Sequence, residues 1–188
     1  RENQFARLGN PLAGGLALME PWQGMLYAFN AAPGTIAPTG QPPYGAYAEA
    51  LAEMIRDGGL PLDQVFERVR LRVHEKTSGA EVPWHASQIK APFVFFEREA
   101  DAPQEASLVT SSTRRARPVR DFDAQDAYLA ALERDTLEGY LEFLQVFPNH
   151  PQASRVRAIV AARREAITWR RTRNADTPEA YWTYLDRY

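Results

Sequence analysis

The apolar positions of the chain first form a run without alternation, Met25-Leu26-Tyr27-Ala28-Phe29, bounded by Gly24 and by Pro33-Gly34. A short unbroken run of this kind reads as a strand covered on both faces, as in a parallel sheet packed between helices. The residues before it, 1–23, are punctuated by Gly9, Pro11, Gly14, Gly15 and Pro21 too often for a long helix or strand. The residues after it, 35–43, read as a loop of Pro, Gly and Thr.

Helical periodicity comes next. Tyr47, Ala50, Leu51, Met54 and Ile55 fall on one face, and Gly58-Gly59 ends the pattern. Pro61 suits the first turn of a second helix. Its stripe is Leu62, Val65, Phe66, Val69 and Val73, with Arg68, Arg72 and Glu75 opposite and Gly79 as the C-terminal stop. A second unbroken run, Phe93-Val94-Phe95-Phe96, predicts another buried strand. Strand, helix, helix, strand is the order in which a long crossover joins parallel strands. Residues 1–100 are therefore expected to form part of an α/β fold, a partial three-layer α/β/α sandwich with further sheet upstream of Arg1.

Residues 101–120 are rich in Ala, Pro, Ser and Thr around Arg114, Arg115 and Arg117, and read as a solvated linker. Residues 121–188 are helical by composition and carry an internal repeat. Asp135-Thr136-x-Glu138-x-Tyr140 recurs 41 residues later as Asp176-Thr177-x-Glu179-x-Tyr181. At the same offset Tyr128, Phe143, Leu144 and Phe147 meet Trp169, Tyr184, Leu185 and Tyr188. A period of this size predicts stacked helical hairpins. Asp135 and Asp176 are expected as N-caps, each completing a capping box with the glutamate three residues on. Such a unit does not bury its apolar face alone, so the repeat is expected to continue past Tyr188 or to pack on something else.

Composition narrows the partners. The 188 residues are 45% apolar and 24% charged, values of a globular chain. Basic and acidic residues number 22 and 24, which gives no electrostatic case for nucleic acid or an anionic membrane. No apolar run approaches membrane-spanning length. With no cysteine, disulfides, thiolate metal sites and a cysteine nucleophile are absent from these residues, while the compartment stays open. Twenty of the 22 basic residues are arginine, a bias expected of a GC-rich bacterial genome. The sequence starts at Arg1 and stops at Tyr188 within a helical pattern, so it is expected to be a fragment.

Candidate chemistry is sparse. His74, His85 and His150 are far apart and lack ligand spacing; they read as surface or helix-end residues. Gly14-Gly15 lacks the strand and spacing of a phosphate loop. The basic stretch from Arg155 to Arg173 reads as a solvated helix face, and Asp121 and Asp123 as linker-edge solvation. No cofactor, metal or calcium-loop spacing is indicated. The loop Asn30-Ala31-Ala32-Pro33-Gly34 differs, because it leaves the carboxyl end of a buried strand. That edge of an open α/β sheet is where ligands bind.

The segment Met25-Leu26-Tyr27-Ala28-Phe29-Asn30-Ala31-Ala32-Pro33-Gly34, continuing through Tyr44-Gly45-Ala46-Tyr47-Ala48-Glu49-Ala50-Leu51, resembles caspases and bacterial caspase-like (metacaspase-related) peptidases. Gly79-x-x-Val82-Pro83-Trp84 with Phe93–Phe96 resembles that family's closing segment and last strand, through which caspases pair. Arg1-Glu2-Asn3-x-Phe5-Ala6 resembles the residues just after the nucleophile in bacterial members. The resemblance covers about residues 1–98. It implies a nucleophilic cysteine directly before Arg1 and a general-base histidine about 50 residues further upstream. The chain alone then holds no catalytic residue and is expected to be inactive. Ile36, Ala37, Pro38 and Thr39 are the residues implied to line the substrate cleft. Thr39 stands where caspases place an arginine and many bacterial relatives an aspartate, so it supplies no charge to a substrate side chain.

Three readings are open. In the first, the chain is the C-terminal half of a caspase-like cysteine endopeptidase, acting on a peptide or protein substrate, with helical repeats appended. In the second, the parent is a catalytically inactive scaffold, as the loss of charge at Thr39 motivates. In the third, the helical repeats carry the function by binding a protein partner.

Overall fold

The computed structural model describes residues 15–39, 43–97 and 117–188. Strand β1 spans Leu26–Phe29 and helix α1 Ala46–Asp57. Helix α2 spans Leu62–Thr77 and strand β2 Trp84–Ser87. A 3-10 turn at Val119–Asp121 leads into α3, Ala124–Arg134, and α4, Leu137–Val146. The chain then runs through the long α5, Ala153–Ala175, and α6, Pro178–Arg187. Helix thus dominates a small sheet, an α/β mixture of the kind the sequence predicts. The motif at residues 1–6 and most of the linker, Arg114 and Arg115 included, lie outside the described residues.

The strand pairing departs from expectation. The partner of β1 is not residues 93–96 but β2, and the pair is antiparallel, with Leu26 opposite Ser87 and Phe29 opposite Trp84. The two helices form a crossover, but the chain comes back along β1 in the opposite direction. Residues 93–96 form no strand. They lie as an extended stretch across the start of α2, with an isolated bridge between Val94 and Pro61. Phe93 O accepts from Leu62 N at 3.1 Å and Phe96 O accepts from Gly59 N at 2.7 Å. The first of these satisfies one of the unpaired N–H groups that every helix start exposes. Phe95 packs on the α1–α2 core, whereas Phe93 and Phe96 are exposed.

Helices α1 and α2 close on one another through Ala50, Leu60, Val65, Val69 and Val73, all buried. On their outer side Lys76 reaches Glu49 and Glu53, and Arg72 reaches Glu53, pairs whose exposure to water keeps their contribution small. Helix α2 ends as its sequence predicts, with Ser78 and then Gly79 at positive φ (51° and 77°). A Cβ on Gly79 would stand 3.2 Å from both His74 Nε2 and Tyr128 Cε1. Glycine therefore allows α3 to approach the end of α2.

The second core joins the sheet to the C-terminal helices. Side chains alternate along β2: His85 stacks on Phe66 of α2 at 5.3 Å, while Trp84 and Ala86 pack on the other side with Phe29. On that second side they meet Tyr128, Leu132, Tyr140, Phe143, Val156 and Ile159 of the helices, each essentially buried. A polar junction seals the contact. Buried Arg70 of α2 donates to Leu132 O at 2.7 Å and lies 3.9 Å from Asp135, and Arg155 donates to Ala80 O. The first hairpin of the helical region thus covers its apolar face with the sheet, one of the two outcomes its sequence requires.

The caps sit one residue later than the sequence predicts. Thr136 and Thr177 are the N-caps, accepting from Gly139 N and Ala180 N at 3.1 and 3.2 Å. Asp135 and Asp176 instead end the preceding helices in the left-handed region, at φ 49° and 47°. That conformation excludes the extended backbone of an N-cap, and the third helical residue is then Gly139 or Ala180, so no capping box forms. Each aspartate has a different task. Tyr140 Oη donates to Asp135 Oδ1 at 2.6 Å, and Tyr181 Oη donates to Asp176 Oδ1 at 2.9 Å. Ring packing recurs as well, with Tyr128–Phe143 centroids at 5.6 Å and Trp169–Tyr184 at 4.9 Å.

Candidate functional site

The loop at the carboxyl end of β1 is built on a tight turn. Thr35 N donates to Ala32 O at 3.0 Å, closing the turn over Pro33-Gly34. Proline followed by glycine at φ 75° fits a turn whose third residue needs positive φ. Thr35 Oγ1 also donates to Ala32 O, at 2.7 Å. Ala32, Pro33 and Gly34 are buried, so the base of the loop belongs to the core.

The segment before β1 braces this turn from the side. Gly34 N donates to Leu16 O at 3.0 Å. Gly15, at φ 90°, lies so close that a Cβ there would stand 2.2 Å from Thr35 O. Leu18 then enters the second core. Gly15, too poorly spaced for a phosphate loop, thus serves close backbone approach. Its place beside a proline-rich loop is the one hint of this in the sequence.

Beyond the brace the four residues implied to line the cleft stand in a row without regular structure. Ile36 is 74% exposed, Ala37 is half-buried, and Pro38 and Thr39 are exposed. An isoleucine held this far into solvent on a fixed turn is available to an apolar side chain of a bound chain. Thr39 brings a hydroxyl and no charge.

The histidines are elsewhere. His74, in the last turn of α2, is at a helix end as predicted, but it is buried against Tyr128, and its Nε2 has no hydrogen-bond partner. Burial holds its pKa below the ordinary value. His85, opposite Ala28, is held low first by burial and then by nearby Arg70. His150 accepts from Gln152 N through Nδ1 and packs on Tyr128 and Phe143. These are packing residues. Among the described residues no group of His, Asp and Glu could hold a metal ion.

The charged residues that the sequence assigns to solvation are partly structural. Asp123 caps α3, accepting from Gln125 N and Asp126 N at 3.0 and 2.9 Å. Arg163 pairs with Asp135 at 2.5 Å and lies over the Tyr140 ring, 5.4 Å from its centroid. Arg170 reaches Glu20 at 2.9 Å. Arginine at an apolar-stripe position has no signature in sequence that separates it from one facing water.

The half-buried strand β1 thus ends in a braced turn, and the turn presents residues 35–39 at its carboxyl end. Residues 19–94 match the family model of the caspase domain, a family of peptidases, and this stretch of the chain is caspase-like. No curated protein and no solved structure matches the chain.

Proposed function

We propose that the chain is the C-terminal half of the catalytic domain of a caspase-like cysteine endopeptidase, followed by helical repeats. The observation that carries this reading is the caspase-domain match over residues 19–94, which includes the braced turn and the loop it presents. In this reading residues 1–100 are part of a three-layer α/β/α domain, residues 101–120 are a linker, and residues 121–188 form helical repeats of a 41-residue period. Ile36, Ala37, Pro38 and Thr39 line the cleft for a peptide or protein substrate. The fixed turn at Pro33-Gly34 holds them at the carboxyl end of β1 without an entropic cost at each binding event. The nucleophilic cysteine and its histidine belong to the part of the parent upstream of Arg1. There the histidine generates the thiolate that attacks the scissile carbonyl, and backbone N–H groups hold the oxyanion.

The uncharged, exposed Thr39 favours a second reading, in which the parent is an inactive scaffold that binds proteins through its helices. The coding sequence upstream of Arg1 separates the two. Asp-x-Cys directly before Arg1, with a His-Gly pair about 50 residues earlier, supports the peptidase. A parent that cleaves a peptide library, and loses the activity when that cysteine becomes serine, establishes it. Another residue at the cysteine position leaves the scaffold reading.

A further inference from the structure

Residues 121–188 supply none of the side chains implied to meet substrate, yet they are joined by two routes to the loop that does. The first is direct. Ala32, which opens the Pro33-Gly34 turn, is buried in the same core as Tyr128 and Leu132 of α3 and Val156 and Ile159 of α5. The second runs through the segment that braces the turn. Gly34 N donates to Leu16 O at 3.0 Å. Two residues on, Leu18 packs on that same core. Two further, Glu20 meets Arg170 of α5 at 2.9 Å.

The brace is held at points rather than along its length. It has no helix or strand of its own. A cleft of about 420 Å³ separates it from the helices, with Met19 and Trp22 on one wall and Trp169 and Tyr184 on the other. Among the described residues, 36–39 make no hydrogen bond of their own, so their order is set at the turn and, behind the turn, at the brace.

We infer that the helical region is a clamp on the substrate loop. Helix α5 and the core beneath it hold residues 16–20, these hold the turn at Pro33-Gly34, and the turn holds residues 36–39 ready for an incoming chain. Leu18 and the Glu20–Arg170 pair are positioning residues: they act on the cleft only through the turn. That the loop receives a substrate rests on the peptidase reading; the clamp itself does not.

Amide exchange at Gly34 and Thr35 in the full 188-residue chain reads the clamp. Leu18→Ala should speed exchange at both about tenfold, the scale of a half-buried leucine taken from a core. Arg170→Glu should speed it about threefold, as should Glu20→Arg, and the double variant should return the rate to that of the native chain. The amides of Val69 and Val73, in the other core, should keep their rates. Unchanged exchange at Gly34 and Thr35 in Leu18→Ala overturns the proposal. So does an acceleration shared equally by Val69 and Val73, because it marks a general loss of stability. Failure of the double variant to restore the rate removes Glu20 and Arg170 from the clamp. In an active parent, Arg170→Glu should raise KM for a peptide substrate and leave kcat unchanged, since a loosened loop has to be ordered at each binding event. Faster exchange with an unchanged KM overturns the positioning role. A parent that cleaves no peptide sinks the peptidase reading instead, and the exchange rates still decide the clamp.

Discussion

The two copies of the 41-residue motif have the same caps and the same tyrosine–aspartate bond, and differ in what surrounds them. In the first, Tyr140 and Phe143 are buried to 1% and 0% exposure between the sheet and α5. In the second, the matching Tyr181 and Tyr184 are only half-buried, and Trp169 is 39% exposed. Local sequence therefore sets the geometry of the motif, while burial decides how much each bond contributes. A hydrogen bond or ion pair closed off from water is expensive to break because its survivors are left unsatisfied; the same pair in water exchanges partners at little cost.

Equivalent substitutions in the two copies put numbers on that difference. Phe143→Ala should lower unfolding free energy by about 3–5 kcal/mol, the range for a fully buried aromatic. Tyr184→Ala, at the equivalent position, should cost about half that or less. Chemical denaturation of both variants measures the gap, and equal losses would dissolve it. Asp135→Ala should cost about 3 kcal/mol, since it strands Arg70 and Arg163, whose side chains are 8% and 15% exposed. Asp176→Ala should cost about 1 kcal/mol, mainly from alanine in a left-handed conformation. A neutral amide in its place, Asp135→Asn, should recover only part of the loss.

Two smaller effects sharpen the picture. Gly15→Ala should cost about 1–3 kcal/mol through positive φ and the contact with Thr35 O, and should increase protease nicking between residues 35 and 39. Acid acts on the first copy through His74 and His150, which pack on Tyr128. Burial holds both pKa values below the ordinary 6.5, so the unfolded chain binds more protons just below that pH. Stability from this source is complete above pH 6.5 and falls as the pH drops through the lowered values. The melting temperature should decline between pH 7 and 5, and His74→Phe should flatten the slope.

How much of this is legible in the sequence depends on the kind of signal each element carries. Helices α1 and α2 are readable because a clean apolar period ends at glycine in both. Strand β2 is not: Trp84-His85-Ala86-Ser87 has no β-branched residue, and its pairing depends on Trp84 finding Phe29 across the sheet. Residues 93–96 mislead because an apolar run can cover a helix start as readily as build a sheet. The caps slip by one residue because aspartate suits both an N-cap and a left-handed helix end. At the candidate site the loop is legible from Pro33-Gly34, but its brace by Gly15 and Leu16 is a contact between backbone segments with no side-chain signature. The Arg70–Asp135–Arg163 cluster is hidden in a charge count that cannot distinguish a paired arginine from a hydrated one.

The antiparallel pair of β1 and β2 also bears on how the chain behaves at high concentration. Among the described residues the ribbon of two strands has no further strand along either outer side, and such open edges template pairing between molecules. Each strand is only four residues long, so an intermolecular ladder gains few bonds. The chain is expected to stay dispersed when dilute and to form weak, reversible clusters when crowded. Light scattering should therefore rise with concentration well before any helix is lost, and a lysine placed at Met25, on the rim of that ribbon, should suppress it.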